Sequence, residues 1–419
     1  MAQKKRYQKH SDLFPLAVIL DIDFSGYGIV RSLTSQNIPV IAFCHKKKFI
    51  PESKTRLCKV IRYSDENDLM EKLFQLGNRQ LKPVLFLTSD YYVSLILKHR
   101  PDFEKRFHFN YPSNEVMEIL LSKKLFYDFG IRNNILLPKS YDIISYDQLI
   151  NVTDTLDYPV IIKPHIRKRR WTEAKMPKAF YCEDKTRLIS AFERAFKYDH
   201  NLLLQEWIPG GDDNIYYCLT YFDELSECKA SFSGQKLRQW PVSTGSTAST
   251  KPSEDDTPKK ETIRIFSAIK FNGFGSIEYK KHALNGKYYL IEPTAGRLNQ
   301  QEYVATANGI NIPLIGYCNM TGININHKIN STRPVTYVDE LAEISSAFVH
   351  FRKGLLTVRE WSRSLKGRKD YRYFNYRDPS VFFAMFLKMP NQLIKNAFRR
   401  NGRLKESFSF KEPDYIGQS

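Results

Sequence analysis

Two strand-like runs, Gly275-Ser276-Ile277-Glu278-Tyr279-Lys280 and Tyr288-Tyr289-Leu290-Ile291-Glu292-Pro293, flank an Asn285-Gly286 turn signal and read as a β-hairpin. Each run carries one carboxylate among β-branched and aromatic neighbours. The loop length decides where those carboxylates go. A two-residue Asn-Gly loop puts Glu278 and Glu292 on opposite faces. A three-residue loop, Leu284-Asn285-Gly286 with Gly286 left-handed, pairs them directly. Opposed like charges weaken a hairpin, and a divalent cation between them reverses the sign. Magnesium takes carboxylates together with substrate phosphates. The hairpin therefore proposes a metal–nucleotide site. The plainer alternative is two solvated glutamates on opposite faces.

A chain of 419 residues has room for two or three domains with cores. No apolar run reaches the length of a membrane span, and the basic segment Met1 to His10 lacks the apolar stretch of a secretory signal. Six scattered cysteines without a Cys-x-x-Cys pair suit reduced thiols in a cytoplasmic protein. The net charge of +19 favours phosphates, acidic polymers or anionic membranes. It concentrates between Arg352 and Lys405, where basic residues far outnumber the three acidic ones. A solvated basic surface is the plain reading of that tail. Peripheral contact with an anionic membrane and binding of nucleic acid are others, although no nucleic-acid module is visible.

Leu16 to Leu20 reads as a buried strand, Asp21 to Gly28 as a turn facing a cleft, Ile29 to Gln36 as a helix and Ile38 to Phe43 as the next strand. With a further strand at Val84 to Leu87, residues 1–112 form an α/β unit with a mostly parallel sheet. Gly26-x-Gly28 lacks the third glycine of a dinucleotide fingerprint. Pro112 to Glu115 opens a helical stretch. Further strands follow at 158–164, 179–182, 202–208, 216–222 and 229–237, suggesting an α+β region. The Ser/Thr/Pro-rich stretch Thr244 to Lys260 reads as mobile. Val381 to Phe398 is an amphipathic stretch broken by Pro390, read as a packed accessory helix in preference to an interfacial membrane helix.

Five motifs then stand in a telling order: Tyr158-Pro159-Val160-Ile161-Ile162-Lys163-Pro164; Gln205-Glu206-Trp207-Ile208-Pro209-Gly210; Lys236-Leu237-Arg238-Gln239-Trp240-Pro241; Gly275 to Lys280; and Leu290 to Arg297. Each alone is nonspecific. Together, over about residues 15 to 320, they resemble the ATP-grasp superfamily, in its carboxylate–amine ligase branch that includes D-aspartate ligase-like proteins. The resemblance implies α/β plus α+β architecture: a Rossmann-like domain over 1–112, a small lid subdomain over 113–205, an antiparallel-sheet ATP-binding subdomain over 206–330 and a basic accessory tail over 331–419.

The resemblance also implies roles. ATP and Mg2+ are the cofactors. Lys163 and Lys178 would contact the α- and β-phosphates. Gln205, Glu206, Trp207 and Ile208 would form the adenine hinge, and Asp213 or Asp212 would hold the ribose. Glu278 and Glu292 would bind magnesium, Arg238 would neutralise a phosphoryl group, and Arg297 would hold the acyl-phosphate or the carboxylate. The family places Asn two residues after the second glutamate. Here that position is Thr294, and Asn299 is the candidate replacement. The implied reaction joins a carboxylate to an amine through an acyl-phosphate, with the alternative of a non-catalytic ATP-binding protein. Asp21, Asp23 and Ser25 would face the acceptor, and the basic tail would suit an acidic glycan or its precursor. A lid is expected, because water destroys an acyl-phosphate. The segments His165 to Lys178 and Thr244 to Lys260 are its candidates.

Overall fold

The computed structural model describes residues 14–165, 169–177, 179–325 and 333–387. Its contacts divide the chain into two compact units. Among the described residues, one combines 14–137 with 210–385; the other is 138–209 with 386 and 387.

The first unit opens with an all-parallel sheet of four strands, β1 (Ala17–Leu20), β2 (Val40–His45), β3 (Lys59–Tyr63) and β4 (Val84–Leu87), in the order β3-β2-β1-β4. β1 and β4 are buried throughout, as continuous apolar runs in a covered parallel sheet should be. Helix α1 (Phe24–Thr34) starts earlier than the sequence suggests. Asp23 caps it by accepting from the backbone N–H groups of Ser25 (2.9 Å) and Gly26 (3.0 Å), so the two glycines lie inside a helix and not in a turn. A Cβ on Gly26 would stand 1.9 Å from the Asp21 carbonyl oxygen, which explains the glycine by close approach.

The second unit carries the antiparallel sheet of β5 (Ser140–Ile143), β6 (Val160–Pro164), β7 (Phe180–Cys182) and β8 (Leu202–Glu206), in the order β5-β8-β6-β7. Helix α2 (Lys185–Phe196) buries Leu188, Phe192 and Ala195 in the same core as Val160, Ile162 and Trp171. The expected lid segment 165–178 contains a helix, Arg169–Glu173; Lys178 lies outside the described residues.

The large sheet of the first unit has seven strands in the order β13-β12-β9-β10-β11-β14-β15. They are β9 (Ile215–Phe222), β10 (Cys228–Trp240), β11 (Ser246–Pro252), β12 (Gly273–Lys281), β13 (Tyr288–Ala295), β14 (Val335–Val338) and β15 (Arg368–Tyr371). Pairing is antiparallel except between β14 and β15. The stretch read as mobile supplies interior strand β11. Its Thr247, Ala248, Ser249 and Thr250 are buried, because small and hydroxylated residues pack well between β10 and β14. Residues past 330, expected to be an accessory tail, contribute β14, β15 and helix α3 (Glu340–Arg352) to this unit. Part of their basic charge is turned inward: Arg372 pairs with Glu52 and Asp339, each at 2.6 Å. Among the described residues no helix is long and apolar enough to cross a membrane. Of the amphipathic stretch 381–398, residues through 387 are described, as part of a helix starting at 379.

Candidate functional site

In the β12–β13 hairpin, Glu278 is registered directly against Glu292, so both carboxylates leave the same face. The route differs from the simple three-residue loop. Ladder bonding runs to His282, whose N–H donates to the Lys287 carbonyl at 2.9 Å, leaving four residues, 283–286, in the loop. Gly286 is left-handed at φ +69°. That even loop would set Ile291 opposite Glu278. A bulge between Tyr279↔Leu290 and Glu278↔Glu292 absorbs Ile291 and brings Glu292 into the pair.

Two further groups converge on this face. Ser276, two residues before Glu278, accepts from Nδ2 of Asn299 at 2.6 Å, which brings Asn299 over the pair Ser276↔Thr294. Arg297 donates from Nη1 to Oδ1 of Asn299 (2.7 Å) and from Nε to Asp90 (2.5 Å), at the start of the helix Asp90–Lys98 that follows β4. Lys236, on β10, reaches Glu278 with Nζ at 2.6 Å and is itself almost fully buried. Lys236 belongs to a motif quoted from the sequence, yet nothing there gave it a role. Its spacing of two from Arg238 on a strand was the available signal.

Other expected residues take different positions. Arg238 is buried, and its Nε donates to Glu343 of α3 at 2.5 Å, with side-chain exposures of 6% and 2%. The structure thus gives it a buried ion pair and not an open face toward a phosphoryl group. Glu343 comes from beyond the motif region and had no sequence signal. Asp212 is also buried. Its carboxylate accepts from the backbone N–H groups of Gln239 (2.8 Å) and Ser243 (2.9 Å) and from the Gln239 side chain (3.0 Å). Asp213 is exposed. Lys280 holds the Gly210 and Gly211 carbonyls at 2.5 and 2.6 Å.

In the second unit, Lys163 on β6 donates to Oε1 of Gln205 on β8 at 3.0 Å, and Gln205 donates onward to Ser140 at 2.9 Å. The Glu206 N–H donates to the Lys139 carbonyl (2.9 Å), and the Glu206 carboxylate accepts from the Lys139 N–H (3.1 Å). Trp207 packs edge-on against Tyr181, and Ile208 is buried.

The hairpin donors fit magnesium. Among the described residues no three His, Cys, Asp or Glu form a ready cage. Two carboxylates and an amide are the sparse oxygen set that a magnesium ion, retaining waters and phosphates, accepts.

A cavity of about 310 Å³ opens at the carboxyl ends of β1 to β4, lined by Asp21, Asp23, Lys48, Tyr63, Glu66 and Tyr92 among others. Lys48 pairs with Asp21 at 2.9 Å, and burial pushes the Asp23 carboxyl up to about 7. Ser25 is buried and does not line this cavity. The chain leaves β1 toward β2 on one side and places β4 on the other, the switch point where open α/β sheets take ligands.

No family model matches the chain. A curated relative, the D-aspartate ligase of Enterococcus faecium (strain Aus0004), is 24% identical over 318 residues, covering 71% of this chain and 74% of that protein. Among solved structures, phosphoribosylglycinamide synthetase from Anaerococcus prevotii superposes with a TM-score of 0.53 at 14% identity, covering 74% of this chain and 76% of that one. N5-carboxyaminoimidazole synthetase from Staphylococcus aureus complexed with ADP gives 0.55 at 12% identity, with 76% and 80% covered. The biotin carboxylase–β,γ-ATP complex from Campylobacter jejuni gives 0.55 at 14%, with 74% and 71% covered. The chain thus has the fold of these three solved structures and is similar in sequence to the D-aspartate ligase.

Proposed function

We propose that this protein is an ATP- and magnesium-dependent ligase that activates a carboxylate as an acyl-phosphate and passes the acyl group to an amine. The observation that carries the reading is the registered pair Glu278↔Glu292, with Asn299 and the buried Lys236 on the same face. In the first step a carboxylate oxygen attacks the γ-phosphorus and ADP leaves. In the second, the amine attacks the carbonyl carbon and inorganic phosphate leaves. Both reactants of the first step are anionic, so cationic groups must offset their repulsion. Magnesium held by Glu278, Glu292 and Asn299 would supply charge neutralisation there. Lys236 fixes one oxygen of Glu278 and keeps that carboxylate from swinging with its partner. Arg297, tethered by Asp90 and Asn299, is pre-oriented for an acyl-phosphate or carboxylate. Lys163 would meet the nucleotide phosphates, the hinge Gln205 to Ile208 the adenine, and Asp213 the ribose.

The cavity at the parallel sheet supports placing the amine there. Its carboxylates, Asp21, Asp23, Asp65 and Glu66, outnumber Lys48 and His45. This pocket speaks for a cationic co-substrate, so the acidic glycan suggested by net charge alone is not needed. The test is incubation of the purified protein with ATP, magnesium and a mixed pool of amino acids, amines and carboxylic acids, with products read by mass spectrometry. A condensation product with stoichiometric ADP and phosphate supports the ligase. Nucleotide binding without phosphate release across the pool would identify a non-catalytic ATP-binding protein instead.

A further inference from the structure

The surface formed by β15, the loop after it and the helix starting at 379 takes no part in that chemistry. Between Trp361 and Leu387 the chain carries two acidic residues, one held in an ion pair and one buried. Asp370 is held by Arg31 at 2.6 Å, and Asp378 is buried, accepting from Tyr27 (3.0 Å) and Thr55 (2.5 Å). Lys366, Arg368, Lys369 and Arg377 are exposed over the same stretch, so its outward charge is positive.

Aromatic rings stand out among these cations. Phe374, Tyr376 and Phe383 are 52%, 78% and 67% exposed. Ring contacts link Tyr371 to Phe374 (6.1 Å), Phe374 to Phe382 (5.4 Å) and Phe382 to Phe383 (6.0 Å), which makes one continuous patch. The helix reads Pro-Ser-Val-Phe-Phe-Ala-Met-Phe-Leu over 379–387, apolar on every side after its first turn begins. Val381, Ala384 and Met385 satisfy its inner side. Its outer side has the composition of a buried surface and lies open. In sequence, six further basic residues and no acidic one follow between 388 and 405.

We propose that this face docks the protein on an anionic lipid surface. Exposed phenylalanine and tyrosine enter the headgroup boundary, and the surrounding lysines and arginines meet the lipid phosphates. Charge complementarity favours an anionic partner. The apolar outer side of the helix favours lipid over nucleic acid, which offers phosphates and stacking bases but no hydrocarbon.

The full chain should pellet with phosphatidylcholine vesicles containing phosphatidylglycerol, not with pure phosphatidylcholine, and raising the salt should release it. The double variant Tyr376→Ser/Phe383→Ser should lose at least tenfold in vesicle affinity with unchanged melting temperature and ATP affinity. Lys369→Glu/Arg377→Glu should do the same and flatten the salt dependence. Failure of the wild-type chain to bind anionic vesicles at low salt would overturn the proposal. So would equal vesicle binding by the aromatic variant, or binding to single-stranded DNA that only this variant loses. A dimer in sedimentation equilibrium that the aromatic variant dissolves would reassign the face to a second copy. Vesicle binding seen only after removal of residues 388–419 would reassign it to the chain's own C-terminal segment.

Discussion

Replacing Glu343 with leucine would leave the Arg238 guanidinium charged, buried and without its counter-ion. The pair sits at 2.5 Å with side chains 6% and 2% exposed. Trp361 donates to the same Glu343 oxygen at 2.9 Å, so that partner is lost as well. Nη2 of Arg238 and Oε2 of Glu343 already lack partners in the described structure, so no spare hydrogen bonds cushion the loss. Breaking one side of such a buried pair costs about 3–5 kcal/mol. Replacing both sides with apolar groups of similar volume is often close to neutral. Glu343→Leu should therefore lower the urea midpoint strongly, and Arg238→Met/Glu343→Leu should recover most of the loss. Tryptophan fluorescence suits the assay, because Trp361 donates to Glu343. A single variant destabilised by less than about 1 kcal/mol, or a double variant no better than the single, would refute this reasoning. The double variant also separates two roles for Arg238. ATP turnover at the wild-type rate in that background would mark the arginine as a clamp between β10 and α3, whereas lost turnover in a stable protein would assign it to the phosphoryl group.

Glu292→Gln should lower magnesium-dependent turnover by about 10²–10³-fold, measured by phosphate release across a magnesium titration, and wild-type turnover would remove the metal assignment. Lys163→Ala should weaken ATP binding by about 10–100-fold in calorimetry, the loss of one charge-assisted hydrogen bond. Burial pushes Glu302 from the ordinary carboxyl value of 4.5 up to about 7, while Ser32 and Thr306 donate to it. The folded protein therefore holds a proton that the unfolded chain releases, and stability from this group declines as pH rises from 4.5 to 7. In Glu302→Gln that slope should be absent from urea midpoints measured across the window. Truncation before β14 should leave an unfolded or aggregating chain, checked by circular dichroism, because it exposes the edge of β11 and removes the partners of Arg31, Glu52 and Arg238.

The sequence made some of this plain and hid the rest for identifiable reasons. The strands around Glu278 and Glu292 were legible because alternation, aromatic content and an Asn-Gly turn agreed. Their direct pairing was one of two readings, and the bulge that produces it leaves no mark in the pattern. Gly26 and Gly28 looked like a turn because glycine is a turn residue. Their actual reason is close approach to other chain segments, which only tertiary packing reveals. Thr244 to Lys260 was misjudged on composition, since hydroxyl-rich segments are as suited to a covered strand as to a loop. The segment after 330 was judged by its charge, yet several of its charges are buried partners of Glu52, Asp339 and Arg238. A buried counter-ion such as Glu343, over a hundred residues from its arginine, has no local signature.

The bulge in β13 has a further consequence. Strict alternation would send Glu292 to the side of Leu290, into the core; the additional residue breaks that parity so that the carboxylate emerges beside its counterpart. Excising Ile291 would let Glu292 follow Leu290 directly and meet Glu278 in an unbroken ladder. Within this hairpin, Ile291 is thus a strand position where the chain can be shortened by one without turning an acid over, and a homologue lacking it would keep the two acids paired on a flatter, less twisted sheet edge.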